Sequence, residues 1–113
     1  MDERLPAHIE VSGLIRAVDA AGGFATVLAK GERDAGTLLV ICCHRGTPAT
    51  AWERMPQADG TRKWTISRTQ DPDNPADFHE WYQRRHRQDP DLWVVELDIA
   101  DGERFIGNGS PGG

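Results

Sequence analysis

Apolar residues recur along this chain with two periods, and the changes of period mark its elements. Over Pro6 to Ala21, Val11, Leu14, Ile15 and Val18 follow the 3-4-3 spacing of one helical face. His8, Glu10, Ser12, Arg16 and Asp19 take the other side. Pro6 suits a first helical position, and Gly22-Gly23 a helix stop. Gly13 weakens the middle of this helix by about 1 kcal/mol relative to Ala, which a close packing contact would offset. Four strand-like runs follow: Phe24 to Lys30, Thr37 to Cys43, Ala49 to Met55 and Arg62 to Arg68. The second is apolar on both alternating faces, as a central, doubly covered strand should be. Asp59-Gly60 between the third and fourth is a hairpin signal. Pro75 to Gln88 predicts a second helix, with Asn74 as its cap and Phe78, Trp81 and Tyr82 as its apolar stripe. Asp77 and Glu80 sit near the positive end of its dipole, and Arg84, Arg85 and Arg87 near the negative end. Asp89-Pro90 ends it. Leu92 to Asp98 is a fifth strand, with Trp93, Val95 and Leu97 on one face.

The order α-β-β-β-β-α-β predicts an α+β domain. Short connections make the first four strands an antiparallel meander. The crossover through the second helix turns the fifth strand parallel to the fourth, so a strand order 5-1-2-3-4 closes the sheet antiparallel throughout. The expectation is a five-stranded, mainly antiparallel sheet with both helices on one face. It places a single domain at residues 1–106 and a flexible Gly-rich tail at 107–113.

Composition narrows the class. The 113 residues suit one domain, and 38% apolar with 27% charged residues is a globular balance. No apolar run approaches the roughly 20 residues of a membrane span, and Met1 to Pro6 carries no secretory pattern. Two adjacent cysteines make no disulfide framework, which fits a reducing, cytoplasmic compartment. With 13 basic and 18 acidic residues the net charge is −5, which excludes a wholly basic nucleic-acid binder. The acidity is uneven. Residues 60–70 hold Arg62, Lys63 and Arg68 with no acid, while 89–104 hold six acids and one arginine.

Three segments resemble a known family. Leu5-Pro6-Ala7-His8-Ile9-Glu10-Val11, Gly22-Gly23-Phe24-Ala25-Thr26-Val27-Leu28 and Asp89-Pro90-Asp91-Leu92-Trp93-Val94-Val95-Glu96-Leu97 are similar to a bacterial domain of unknown function, number 1491 of that series. The last block is the most specific. The resemblance spans nearly the whole chain and implies a single-domain cytosolic bacterial protein. It assigns no catalytic or binding residue.

Several motif fragments lose their chemistry on inspection. Gly107-Asn108-Gly109-Ser110-Pro111-Gly112 matches a dinucleotide fingerprint as a string, but no helix can follow it. His79-Glu80-Trp81-Tyr82-Gln83 begins like a zinc-protease helix and puts Gln83 where the second imidazole belongs. His86 lies two turns beyond His79, about 10.5 Å along the axis, too far to share one ion. In Cys42-Cys43-His44 only Cys42 and His44 share a strand face, and a structural zinc wants about four ligands. The Asp-Pro-Asp triplets at 71–73 and 89–91 flank the second helix roughly 20 Å apart and read as caps and punctuation.

Two surfaces remain as candidates. Trp52 alternates with Thr50 and Arg54, both polar, so an open face there would expose Trp52 and Arg54 as a contact pair. Arg62, Lys63, Arg68, Arg84, Arg85 and Arg87, with Trp64 and Trp81 among them, could hold phosphate or RNA. The leading expectation is a non-catalytic cytoplasmic interaction or regulatory module using Trp52, Arg54 and the basic end of the second helix. Its partner would be another protein or a second copy of the chain, with no membrane, metal or cofactor. Nucleic-acid binding through the basic residues is the alternative. A small thiol or metal hydrolase built on Cys43, His44, His79 or Glu80 is a third.

Overall fold

The computed structural model describes residues 5–107. The tail expected at 107–113 lies outside these from residue 108 onward. In chain order the elements are α1 (Ala7–Ala20), β1 (Phe24–Ala29), β2 (Leu38–His44), β3 (Thr47–Pro56), β4 (Arg62–Thr69), α2 (Pro75–Gln88) and β5 (Trp93–Asp98), then a 3-10 turn at Gly102–Phe105. The α+β class and the order of elements are those predicted. The sheet is mainly antiparallel, with one parallel pair, β2 with β5.

The strand order is β1-β5-β2-β3-β4, not 5-1-2-3-4. β5 enters between β1 and β2, so the meander comprises only β2, β3 and β4. Burial explains the insertion. Val94, Val95 and Leu97 are fully buried, so β5 is apolar on both faces, as β2 is through Leu39, Val40 and Ile41. A strand of that kind loses most of its burial at an edge. β1 can take the edge because Phe24 and Val27 tolerate exposure.

The helices lie on opposite faces rather than one. Leu38, Val40, Trp93, Val95 and Leu97 pack with Val11, Leu14 and Val18 of α1. The intervening Leu39, Ile41 and Val94 pack with Phe78, Trp81 and Tyr82 of α2. Two-faced strands require cover on both sides, so one helix goes to each.

Local signals settle the ends of the elements. The α1 N-terminus has no side-chain cap; the Ala7 and His8 amides donate to the Asp34 and Arg33 carbonyls at 3.1 and 2.9 Å. Its C-terminus closes at Gly22 (φ 91°), with the Gly23 amide reaching the Val18 carbonyl at 3.0 Å. At α2, Asn74 makes no side-chain cap, and Pro75 holds the first turn. Each Asp-Pro-Asp triplet forms the same turn: Asp71 Oδ1 accepts from the Asp73 amide and Asp89 Oδ1 from the Asp91 amide.

Candidate functional site

The face of the sheet under α1 carries Trp52 and Arg54, but it is not open. Trp52 is half-buried against the α1 core, and its Nε1 donates to Thr50 Oγ1 at 2.9 Å. The Arg54 guanidinium forms a fork with the Glu10 carboxylate of α1, one arm at 3.2 Å, and lies 4.6 Å from the centre of the Trp64 ring. The expected exposed contact pair is therefore a strut between β3 and α1. The sequence pattern hides it because Glu10 and Arg54 are far apart in the chain, and polar residues on one strand face look the same whether they meet solvent or an ion-pair partner.

Beside this strut runs a groove of about 290 Å³, bordered by Leu5, Ile9, Gly13, Ala17, Trp64 and Ile106 among others. Ile9, Gly13 and Ala17 recur every fourth residue along α1 and form one stripe beside the buried one, and Leu5 lies just before the helix. Leu5 is 60% and Ile9 42% exposed. A side-chain carbon on Gly13 would touch nothing within 4 Å, so the close packing expected there does not occur among the described residues. Gly107 closes the far end, where an added carbon would lie 2.6 Å from the Trp64 ring.

The basic residues are divided between the two faces. Neighbours on a strand point opposite ways: Arg62 shares the face of Arg54 and Trp64, and Lys63 the α2 face. On the α2 face Arg68 pairs with Asp77 at 2.5 Å and stacks on Trp81 at 5.3 Å. Arg85 makes a two-armed pair with Glu53 at 2.7 and 2.8 Å and lies 5.6 Å from the same ring. The Arg85 hydrogen bonds hold the Glu53 carboxyl below its usual range against the opposing effect of burial, and the Arg85 pKa rises in return. Trp81 is thus clasped between two neutralised arginines that tie α2 to β3 and β4. Arg84 and Arg87 stay exposed on the outer side of α2, apart from Arg62. The six are thus divided among the α1 face, the α2 face and the exposed side of α2.

The cysteines and histidines also separate. Cys42 faces the α1 core, and burial pushes its thiol up to about 12. Cys43 looks to the other face, and burial with Glu96 and Asp98 pushes its thiol to about 11. It borders a cavity of about 440 Å³ with His44, whose Nδ1 is 4.0 Å from Asp98 Oδ1. His79 borders a different cavity, about 400 Å³, with Leu28, Ala29, Tyr82 and His86. There His79 Nδ1 lies 2.7 Å from the Tyr82 hydroxyl, and His86 Nε2 donates to the Lys30 carbonyl at 3.1 Å. Cys43, His44 and His79 do not converge. Among the described residues no three His, Cys, Asp or Glu side chains group as metal ligands, and no helix is long and apolar enough to cross a membrane.

Comparison with known proteins follows the same lines. The profile of DUF1491, a protein family of unknown function, matches residues 5–107 and so includes all three resembling segments. The chain is 34% identical to a DUF1491 family protein from Caulobacter crescentus CB15 seen in a crystal structure, with a TM-score of 0.77 over 91% of this chain and 95% of that one. An NMR structure of a DUF1491 family protein from the same organism gives 35% identity and 0.73, over 93% and 94%. A solution structure of a protein from A. tumefaciens gives 30% and 0.71, over 92% and 93%. No curated protein matches the chain. Fold, segments and relatives agree, and the chain belongs to the DUF1491 family, whose function is unknown.

Proposed function

We propose that this protein is a non-catalytic interaction module that takes an apolar segment of a partner protein into the groove beside α1. One observation carries the reading: Leu5 and Ile9 stand exposed along a groove whose other walls are Trp64 and Ile106. Exposed apolar side chains gathered around a concavity mark an interaction site, whereas scattered ones do not. Gly13 fits the same role. It weakens the helix and packs against nothing among the described residues, which leaves room for a ligand backbone. Of the residues that the amino-acid pattern favoured, Arg54 lines this groove, whereas Trp52 and the end of α2 do not. The high thiol pKa values of Cys42 and Cys43 support a binding rather than a nucleophilic role. Two free thiols support a cytoplasmic setting.

The test is affinity capture from bacterial cytosol, with wild-type chain and a Leu5→Ser/Ile9→Glu variant as baits. Proteins and RNA are both read out, and melting curves confirm the fold. At least one protein should fall by roughly tenfold or more on the variant, the scale of about 1.4 kcal/mol of lost apolar contact. Identical capture by both baits contradicts the groove. Retained RNA that is released steeply by salt would favour the basic residues instead.

A further inference from the structure

The two edges of the sheet are built differently. β4 carries Arg62, Lys63 and Arg68, and its pairing with β3 slips register between Ala51 and Trp52. Charges and bulges of this kind keep an edge from pairing with another chain. β1, at the opposite edge, reads Phe24-Ala25-Thr26-Val27-Leu28-Ala29, with no charge, proline or glycine. Phe24 is 72% exposed and Val27 37%. β1 also slips register against β5, between Val27 and Ala29, but it carries none of the charges that guard β4, and a neutral, apolar edge strand is a template for strand addition.

We propose that β1 pairs antiparallel with β1 of a second copy of this chain, about a two-fold axis perpendicular to the sheet. Three observations select a second copy. The first is complementarity of shape. Phe24 pairs with Asp98 and Ala29 with Val94, alternate positions on β5, so both side chains stand on the α2 face at opposite ends of β1. Antiparallel pairing brings the Phe24 end of one copy against the Ala29 end of the other. At that end, on that face, opens the cavity of about 400 Å³, with Leu28, Ala29 and Tyr82 among its walls and His79, His86 and Arg87 on its polar side. Each exposed phenylalanine then meets the partner's cavity, twice per dimer by symmetry. The second is charge. A chain of net −5 repels its copy across most of its surface, but the six residues of β1 bring no charge to the seam. The third is closure: β4 is blunted, so the assembly ends at a ten-stranded dimer and does not run on into a fibre. The seam lies at the opposite edge from the groove beside α1, so the two proposals stand or fall separately.

A single strand pair with two ring insertions sits at the small end of interfaces, and a Kd on the order of 10 μM is expected. The experiment is sedimentation velocity on the full chain over a range spanning that value. The wild type should shift from one chain of 12.5 kDa towards twice that mass as concentration rises. Phe24→Asp should stay monomeric throughout with an unchanged melting temperature, because the side chain is exposed in the monomer. Ile66→Asp, on the outer β4 strand, should dimerise like the wild type. A wild type that remains monomeric overturns the proposal, whether the edge stays open or receives an extended segment of another protein. A dimer that survives Phe24→Asp, or is lost with Ile66→Asp, overturns it as well.

Discussion

Removing Glu53 should destabilise the fold through Arg85, by an amount the local exposure sets. Glu53 is 14% exposed and Arg85 31%, joined by two hydrogen bonds of 2.7 and 2.8 Å. An exposed pair contributes about 0.2–1 kcal/mol, and breaking a buried one costs about 3–5 kcal/mol. Arg85 keeps a solvated third and its stacking on Trp81, so Glu53→Ala should cost about 2 kcal/mol, between these limits. Unfolding entropy of about 2.1 cal/mol/K per residue over 113 residues is about 0.24 kcal/mol/K, so the melting temperature should drop by about 8 °C. A cycle of Glu53→Ala, Arg85→Ala and the double variant, followed by urea unfolding at pH 7, isolates the pair; a coupling of about 1.5 kcal/mol is expected. pH supplies an independent check. The folded carboxyl titrates below its unfolded value of about 4.3, so its contribution is complete above that pH and fades as pH falls through the folded value. The gap between wild type and Glu53→Gln should therefore hold from pH 8 to 5 and close below about pH 4. A coupling under about 0.5 kcal/mol, or a gap that persists unchanged to pH 3, would refute the reading of this pair as a tie between α2 and β3.

Other perturbations follow from the same geometry. Cys43, raised from 9.0 to about 11, should alkylate at pH 8 about 100-fold more slowly than a free thiol, and Cys42 more slowly still; comparable rates in a timed iodoacetamide assay would refute the burial argument. Gly31→Ala should destabilise by more than about 2 kcal/mol, because the added carbon would lie 2.2 Å from the Asp91 carbonyl oxygen, a backbone atom that cannot swing away. Gly13→Ala should do the reverse and raise stability by about 0.5–1 kcal/mol in thermal melts, since the position is helical and open. Leu39→Ala, at a fully buried site between β2 and α2, should cost about 3–5 kcal/mol in chemical denaturation.

The elements themselves were legible because their periods are clean. The α1 stripe and the full span of α2 come directly from residue spacing. Topology was less so. Adjacency in sequence suggests adjacency in the sheet, and it fails where a later strand has the stronger claim to the centre. The signal was present in Trp93-Val94-Val95, where Val94 breaks the one-faced reading of β5 and demands a second covered face. The same oversight put both helices on one side. The ion pairs of the candidate residues are hidden for a different reason. Arg54, Arg68 and Arg85 find their partners Glu10, Asp77 and Glu53 on other elements, and only the folded packing joins them. The Ile9, Gly13 and Ala17 stripe was readable at four-residue spacing but was overshadowed by the richer face beside it.

The place of β5 bears on how the chain comes to fold as it is made. Ribosomes deliver β1 and β2 early and β5 after every other strand, yet β5 lies between them, with Val27 and Val40 both opposite Val95. A nascent chain that has reached Gln88 can close the β2–β4 meander and lay α2 on it. It still leaves β2 with one bare edge and β1 with no strand partner at all. The sheet is completed by contacts of long sequence separation, which folds slowly compared with a local meander. During that interval two apolar strands wait for the same missing neighbour, and the nascent protein is then at its most exposed to wrong pairing or to capture by a chaperone.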